Sequence, residues 1–182
     1  ALIENSHKTA EYFAKVAMSA GVDGLVLFPP NFYKNIRQKS LQAYYEGILE
    51  EVNSDGTHTP VFIAFNDPYS TIPMSNYVLR SLSEKFDNVY GIVDYGTTTE
   101  NTESLLEGCS DLVVLSANEG MYSSFSNSLG VQGIVSTIGN AFPSLVSSLY
   151  NLVHSPEKEE NQEKLILIQQ KIVLIEKILK KY

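Results

Sequence analysis

The chain has 182 residues, 43% of them hydrophobic and 19% charged, which is enough for one sizeable core. A net charge of −8 opposes non-specific nucleic-acid binding, which depends on Lys and Arg neutralising phosphates, and no apolar run approaches the ~20 residues that span a bilayer. The single cysteine, Cys109, leaves neither an intrachain disulfide nor a Cys-based zinc site. The opening "ALIENSHKTAEYF" lacks the basic start and apolar centre of a signal peptide, so a cytoplasmic protein is expected, without membrane or nucleic-acid partners.

In chain order, "ALI" (1–3) reads as the end of a strand. "HKTAEYFAKVAMSAG" then repeats Ala10, Phe13, Ala14, Ala17 and Met18 at three- and four-residue spacing before Gly21, which predicts a helix and its stop. "VDGLVLF" (22–28) is a strand, and "SLQAYYEGILEEV" (40–52) a helix presenting Leu41, Tyr44, Tyr45, Ile48, Leu49 and Val52. "PVFIAF" (60–65) is the next strand, followed by "PMSNYVLRSLSEKF", whose Pro73 and cap candidate Ser75 precede Val78, Leu79 and Leu82. "NVYGIV" (88–93) leads into "TTTENTESLLEG", acidic at its start where a helix dipole favours negative charge. "DLVVLS" (111–116) and "VQGIVST" (131–137) complete the strands.

These strand runs are apolar almost throughout, as strands buried on both faces are. Alternation with helices therefore predicts a parallel α/β sheet with crossover helices, either open and doubly wound or closed as a barrel. Two parts are expected: the β/α region at 1–154, and a helical extension at 155–182 whose helix follows the charged stretch "HSPEKEENQ" at 154–162. In the tail, Leu165, Ile168, Ile172, Ile175 and Leu179 follow 3,4 spacing, but Ile166, Leu167, Val173, Leu174 and Ile178 widen the apolar face. A plain coiled-coil seam is narrower. The helix either packs on its own domain alone or contacts a second subunit as well.

Motifs for chemistry are sparse. Neither G-x-x-x-x-G-K-[ST] nor G-x-G-x-x-G occurs, and "YSSFSNSLG" has no nucleophile elbow. His7, His58 and His154 have no i,i+4 partner histidine and read as surface residues, and Cys109 as a packing residue. No resident cofactor is expected. The remaining polar residues fall after strands, where parallel β/α proteins build their sites. They are Asn31 and Tyr33 after "GLVLF", Asn66 and Asp67 after "VFIAF", Asp94 and Tyr95 after "GIV", Asn118 and Glu119 after "VVLSA", and Ser136 and Thr137 in "GIVST".

Five stretches, "AGVDGLVLFPPNFY", "PVFIAFNDP", "NVYGIVDYGT", "DLVVLSANEGM" and "LGVQGIVSTIGNAFP", resemble the dihydrodipicolinate synthase / N-acetylneuraminate lyase family in order and spacing. The resemblance implies a TIM-type (β/α) barrel, a homo-oligomer (dimer or tetramer), and a lysine that forms a Schiff base with pyruvate or another 2-keto acid. It also implies departures. The family's Y-N-x-P reads "FNDP", placing Phe65 at the proton-relay tyrosine, and its G-I-K reads "GIV", placing Val93 at the Schiff-base lysine. The opening resembles the end of the family's third strand, so the barrel is expected to be incomplete, about six βα units without the first two strands. A (β/α)8 domain takes about 250 residues. The chain is then a fragment, or is completed by a partner or second copy, or keeps an open sheet covered by its C-terminal helix.

An imine requires an amine, which valine lacks. The resemblance therefore implies a non-catalytic protein that binds a small keto acid or sugar acid, or supports an assembly, with Tyr33, Asn66, Asp94, Glu119 and Val135 facing any ligand. Two alternatives stay open. One is a keto-acid aldolase using another amine, with Lys34 the candidate; the other is a carboxylate- or Mg²⁺-dependent enzyme using Asp67, Asp94 and Glu119.

Overall fold

The computed structural model of the chain describes residues 1–33, 35–54, 56, 58–65, 72–96, 98, 100, 103, 111–157, 160–179 and 181. Its elements are α1 (His7–Ser19), β1 (Leu25–Leu27), α2 (Gln38–Val52), β2 (Val61–Phe65), α3 (Asn76–Lys85), β3 (Val89–Asp94), β4 (Val113–Ser116), α4 (Tyr122–Leu129), β5 (Gly133–Ile134), α5 (Pro143–Val153) and α6 (Gln162–Leu179). Single 3-10 turns occupy Glu119–Met121 and Ile138–Asn140.

All five strands are parallel and lie in chain order, β1-β2-β3-β4-β5. Leu2 adds a parallel bridge to Leu27, so "ALI" does end in a strand-like pairing. Sequential order separates the two predicted architectures. A doubly wound sheet reverses its order at a switch point, whereas a barrel adds each strand beside the last. With right-handed crossovers, sequential order puts the helices on one face.

The pleat assigns that face. Leu27, Ile63, Ile92 and Val114 stand side by side across four strands, all buried in the cluster that also holds Leu41, Ile48, Leu79 and Leu82 of α2 and α3. The adjacent row, Ala64, Val93 and Leu115, points to the opposite, concave side. Each helix meets the sheet through one apolar stripe: Ala10 and Ala14 on α1, Leu41, Tyr45, Ile48, Leu49 and Val52 on α2, Val78, Leu79 and Leu82 on α3. Ser75 caps α3, its Oγ accepting from Val78 N at 3.4 Å. Lys15 to Glu51 at 2.7 Å ties α1 to α2, and Lys85 to Glu46 at 3.0 Å ties α3 to α2. Both lysines are exposed, so these pairs add little stability.

Three differences from the sequence reading have physical causes. Strand β5 shrinks from the predicted seven residues to two: before it the Gln132 side chain accepts from Val114 N at 2.8 Å, and after it Ser136 and Ile138 N turn to the Glu119 carboxylate. Helices α4 and α5 were implied by the βα units but not read from their own residues. Their buried residues, Tyr122 and Phe125, and Val146, Leu149 and Val153, recur at three or four residues, and Gly130 ends α4 at φ +69. The acidic helix predicted at 97–108 lies largely outside the described residues. In α6, Ile172 is buried and Leu165, Ile168 and Ile175 pack against the core, while Gln169 Nε2 donates to the carbonyls of Glu119 (2.8 Å) and Gly120 (3.0 Å). Among the described residues, no helix is long and apolar enough to cross a membrane.

Candidate functional site

The C-terminal strand ends place the candidates in two groups. At β1, Tyr33 is half-exposed on a cavity of about 500 Å³ that Asn5, Pro30, Ile36, Arg37 and Tyr44 also line. Among the described residues, none of the other candidates lines it. At β3 and β4, Asp94 and Ser116 lie side by side and are both buried. Asp94 Oδ1 accepts from Gly96 N at 2.9 Å, so this carboxylate closes the turn that ends β3. Asn118 Nδ2 reaches Gly96 O at 3.3 Å and joins the β3 and β4 loops.

Glu119 is buried, at 6% exposure. Its Oε1 accepts from the Ser136 hydroxyl at 2.8 Å and from Ile138 N at 2.9 Å. Ser136 Oγ in turn accepts from Gly139 N at 2.8 Å. Neighbouring Val135 is partly buried, its N–H donating to Ser116 O at 2.8 Å. The Glu119 carboxylate thus holds the β4 and β5 loops in one register. Asn66, Asp67, Lys34 and Cys109 lie outside the described residues. Among the described residues, no three His, Cys, Asp or Glu side chains gather as cation ligands.

The position assigned to the Schiff-base lysine sits at the centre of the concave side. Val93 is fully buried in β3, between Ala64 of β2 and Leu115 of β4. The rings of Phe28 and Tyr95, one residue past β1 and β3, meet at 5.7 Å, and Tyr95 N donates to Phe65 O at 2.9 Å. Phe65 is buried and belongs to the helix-side core. What this arrangement offers a ligand is shape and hydrogen bonding; Val93 and Phe65 supply neither an amine nor a phenol. The sequence reading missed Phe28 as a partner of Tyr95, and the signal was an aromatic residue directly following each strand.

Of the histidines, His154 is exposed yet partnered, its Nε2 at 2.8 Å from the hydroxyl of fully buried Tyr122. Burial, with Tyr150 nearby, pushes the Tyr122 phenol pKa up. His7 stands beside Glu11 at 3.9 Å, and His58 is exposed at φ +49.

Parallel strands in chain order, one helix-covered face and polar strand ends define a protein of the TIM-barrel type. The chain belongs to the dihydrodipicolinate synthetase family, whose model matches residues 4–182. It is 30% identical over 152 residues to a 4-hydroxy-tetrahydrodipicolinate synthase of Methanosarcina mazei, covering 81% of this chain and 48% of that protein. It is 28% identical over 140 residues to the synthase of the same name from Methanococcus maripaludis, covering 76% of this chain and 45% of that protein. The chain therefore spans about half the length of these relatives. Among solved structures, the 4-hydroxy-tetrahydrodipicolinate synthase of Methylacidiphilum fumariolicum superposes with a TM-score of 0.77 at 26% identity, over 92% of this chain and 52% of that one. The 2-keto 3-deoxygluconate aldolase of Picrophilus torridus shares the fold at TM-score 0.80 and 23% identity, over 98% and 61%.

Proposed function

We propose that this chain is a non-catalytic member of its family, which binds a small keto acid or sugar acid or supports a homo-oligomeric assembly without forming a Schiff base. The observation that carries this reading is Val93: fully buried on the concave side, where the resemblance puts the lysine, and unable to attack a carbonyl. Phe65 at the tyrosine position supports it, because losing a general acid–base partner alone costs typically ~10²–10⁴-fold in rate. Asp94 and Glu119 fit a supporting role, since each carboxylate accepts from a backbone N–H of its own or the neighbouring loop.

The test is incubation with pyruvate and borohydride followed by intact mass measurement, beside a lysine-dependent aldolase as positive control. The expected result is an unmodified chain. A covalent pyruvate adduct would overturn the proposal and favour the active reading, which the synthase names of the relatives suggest and which needs another amine. A melting temperature raised by keto or sugar acids would separate ligand binding from a purely architectural role.

A further inference from the structure

The cavity beside β1 is bounded by the segment after Leu2, the loop after β1 and the start of α2, and none of Ala64, Val93 and Leu115 lines it. Its volume of about 500 Å³ falls within the roughly 300–1,000 Å³ of small-molecule sites. Pro30, Ile36 and Tyr44 supply apolar walls. Tyr44 does so through its ring, because its hydroxyl already donates to Glu4 O at 2.6 Å.

The polar walls are groups that can donate and have no acceptor. Arg80 stands beside Glu84 at 3.9 Å, whereas Arg37 has no carboxylate partner among the described residues. The hydroxyls of Tyr33 and Ser40 likewise make no hydrogen bond among the described residues. Asn5 Oδ1 accepts from Phe32 N at 2.8 Å, which fixes the amide and leaves Nδ2 as a donor. No acidic side chain lines the cavity, and Glu4, whose charge is felt at Tyr44, is not one of its walls.

We propose that this cavity binds a small organic monocarboxylate, with the carboxylate on Arg37 and the apolar body against Pro30, Ile36 and the Tyr44 ring. A planar guanidinium offers a carboxylate two parallel N–H bonds, and Tyr33, Asn5 and Ser40 supply donors for the remaining lone pairs. One guanidinium balances one negative charge. A phosphate dianion would keep charge uncompensated and leave the apolar walls bare. An apolar body gains burial that acetate, with a single methyl group, does not. The cavity shares Tyr33 with the residues proposed above to face a ligand, but not Asn66, Asp94, Glu119 or Val135. The inference therefore stands apart from the reading of Val93, and an imine formed elsewhere in the chain would leave it untouched.

The test is saturation-transfer NMR of benzoate with the 182-residue chain, using acetate and inorganic phosphate as competitors at constant ionic strength. Circular dichroism checks the folding of each variant. Benzoate is expected to bind saturably and at least about tenfold more tightly than acetate. Arg37→Met should weaken benzoate by about tenfold or more, and Arg37→Lys, which keeps the charge but not the fork, by less. Ser40→Asp is the second variant. A carboxylate in the first turn of α2 suits the helix dipole, so the fold is kept, while its charge repels the ligand and should weaken benzoate by about tenfold. Absence of saturable benzoate binding up to about 10 mM overturns the proposal. Binding that survives both Arg37→Met and Ser40→Asp overturns the location, and displacement by phosphate at lower concentrations than acetate overturns the monocarboxylate assignment.

Discussion

Glu119 and Ser136 meet at 2.8 Å, and this contact joins the loops that leave β4 and β5. The same carboxylate oxygen takes Ile138 N at 2.9 Å, so truncation strands two donors at once. Glu119→Ala should therefore lower unfolding free energy by about 2–4 kcal/mol, and Glu119→Gln, which keeps an oxygen in place, by less than about half of that. Urea denaturation of the two variants measures the difference. Equal losses would mean that the charge, not the acceptor, holds the loops.

Gly91 in β3 has no room for a side chain. A Cβ there would run into the Val113 carbonyl of β4 and come within 2.8 Å of the Phe62 ring. Gly91→Ala should cost about 2–3 kcal/mol by overpacking. Adding Phe62→Leu should recover little, because the backbone carbonyl remains in the way. Full recovery in thermal melts of the double variant would show that the ring alone sets the limit.

Val93→Lys places an amine at a fully buried position. Burial disfavours the ammonium, so the folded-state pKa falls below the ordinary ~10.4. The unfolded chain then binds the proton more tightly, and the variant should be destabilised at neutral pH by about 2–4 kcal/mol. The deficit should shrink as pH rises toward 10. A deficit independent of pH between 7 and 10 would point to a steric cause.

Tyr44 gives the opposite limb of the pH profile. Its hydroxyl donates to Glu4 O at 2.6 Å, and burial first, then the nearby Glu4 charge, pushes the phenol pKa up. Below the unfolded-state value of ~10 the group is neutral in both states and its contribution is fully present. Above it, the unfolded chain ionises while the folded phenol does not, so stability falls. Tyr44→Phe should cost about 1 kcal/mol near neutrality, with the gap to the unaltered chain narrowing above pH ~10. Denaturant midpoints measured at both pH values test this.

Much of the fold could be read because burial on both faces left its mark on the strand sequences, as in Val61–Phe65 and Val89–Asp94. Helix α4 was obscured by its serines: Tyr122 and Phe125 carry the buried stripe, and Ser123, Ser124 and Ser126 dilute the pattern. The broad apolar face of α6 was legible as a fact but not as two faces, since the division depends on where α5 and the turn at Glu119 lie. At the site, residue type revealed that Asp94 and Glu119 end strands. It could not reveal that backbone donors from Gly96 and Ile138 already engage them, because a main-chain N–H leaves no trace in side-chain identity.

Because each strand pairs with its successor, the sheet can be assembled in the direction of synthesis. Leu25 waits for Val61, 36 residues later, while Leu115 waits only 18 residues for Gly133. Loop-closure entropy rises slowly with length, so every successive pairing along the chain is somewhat easier to close than the first. On loop closure alone, the pairing of β1 with β2 is the costliest of the four strand pairings.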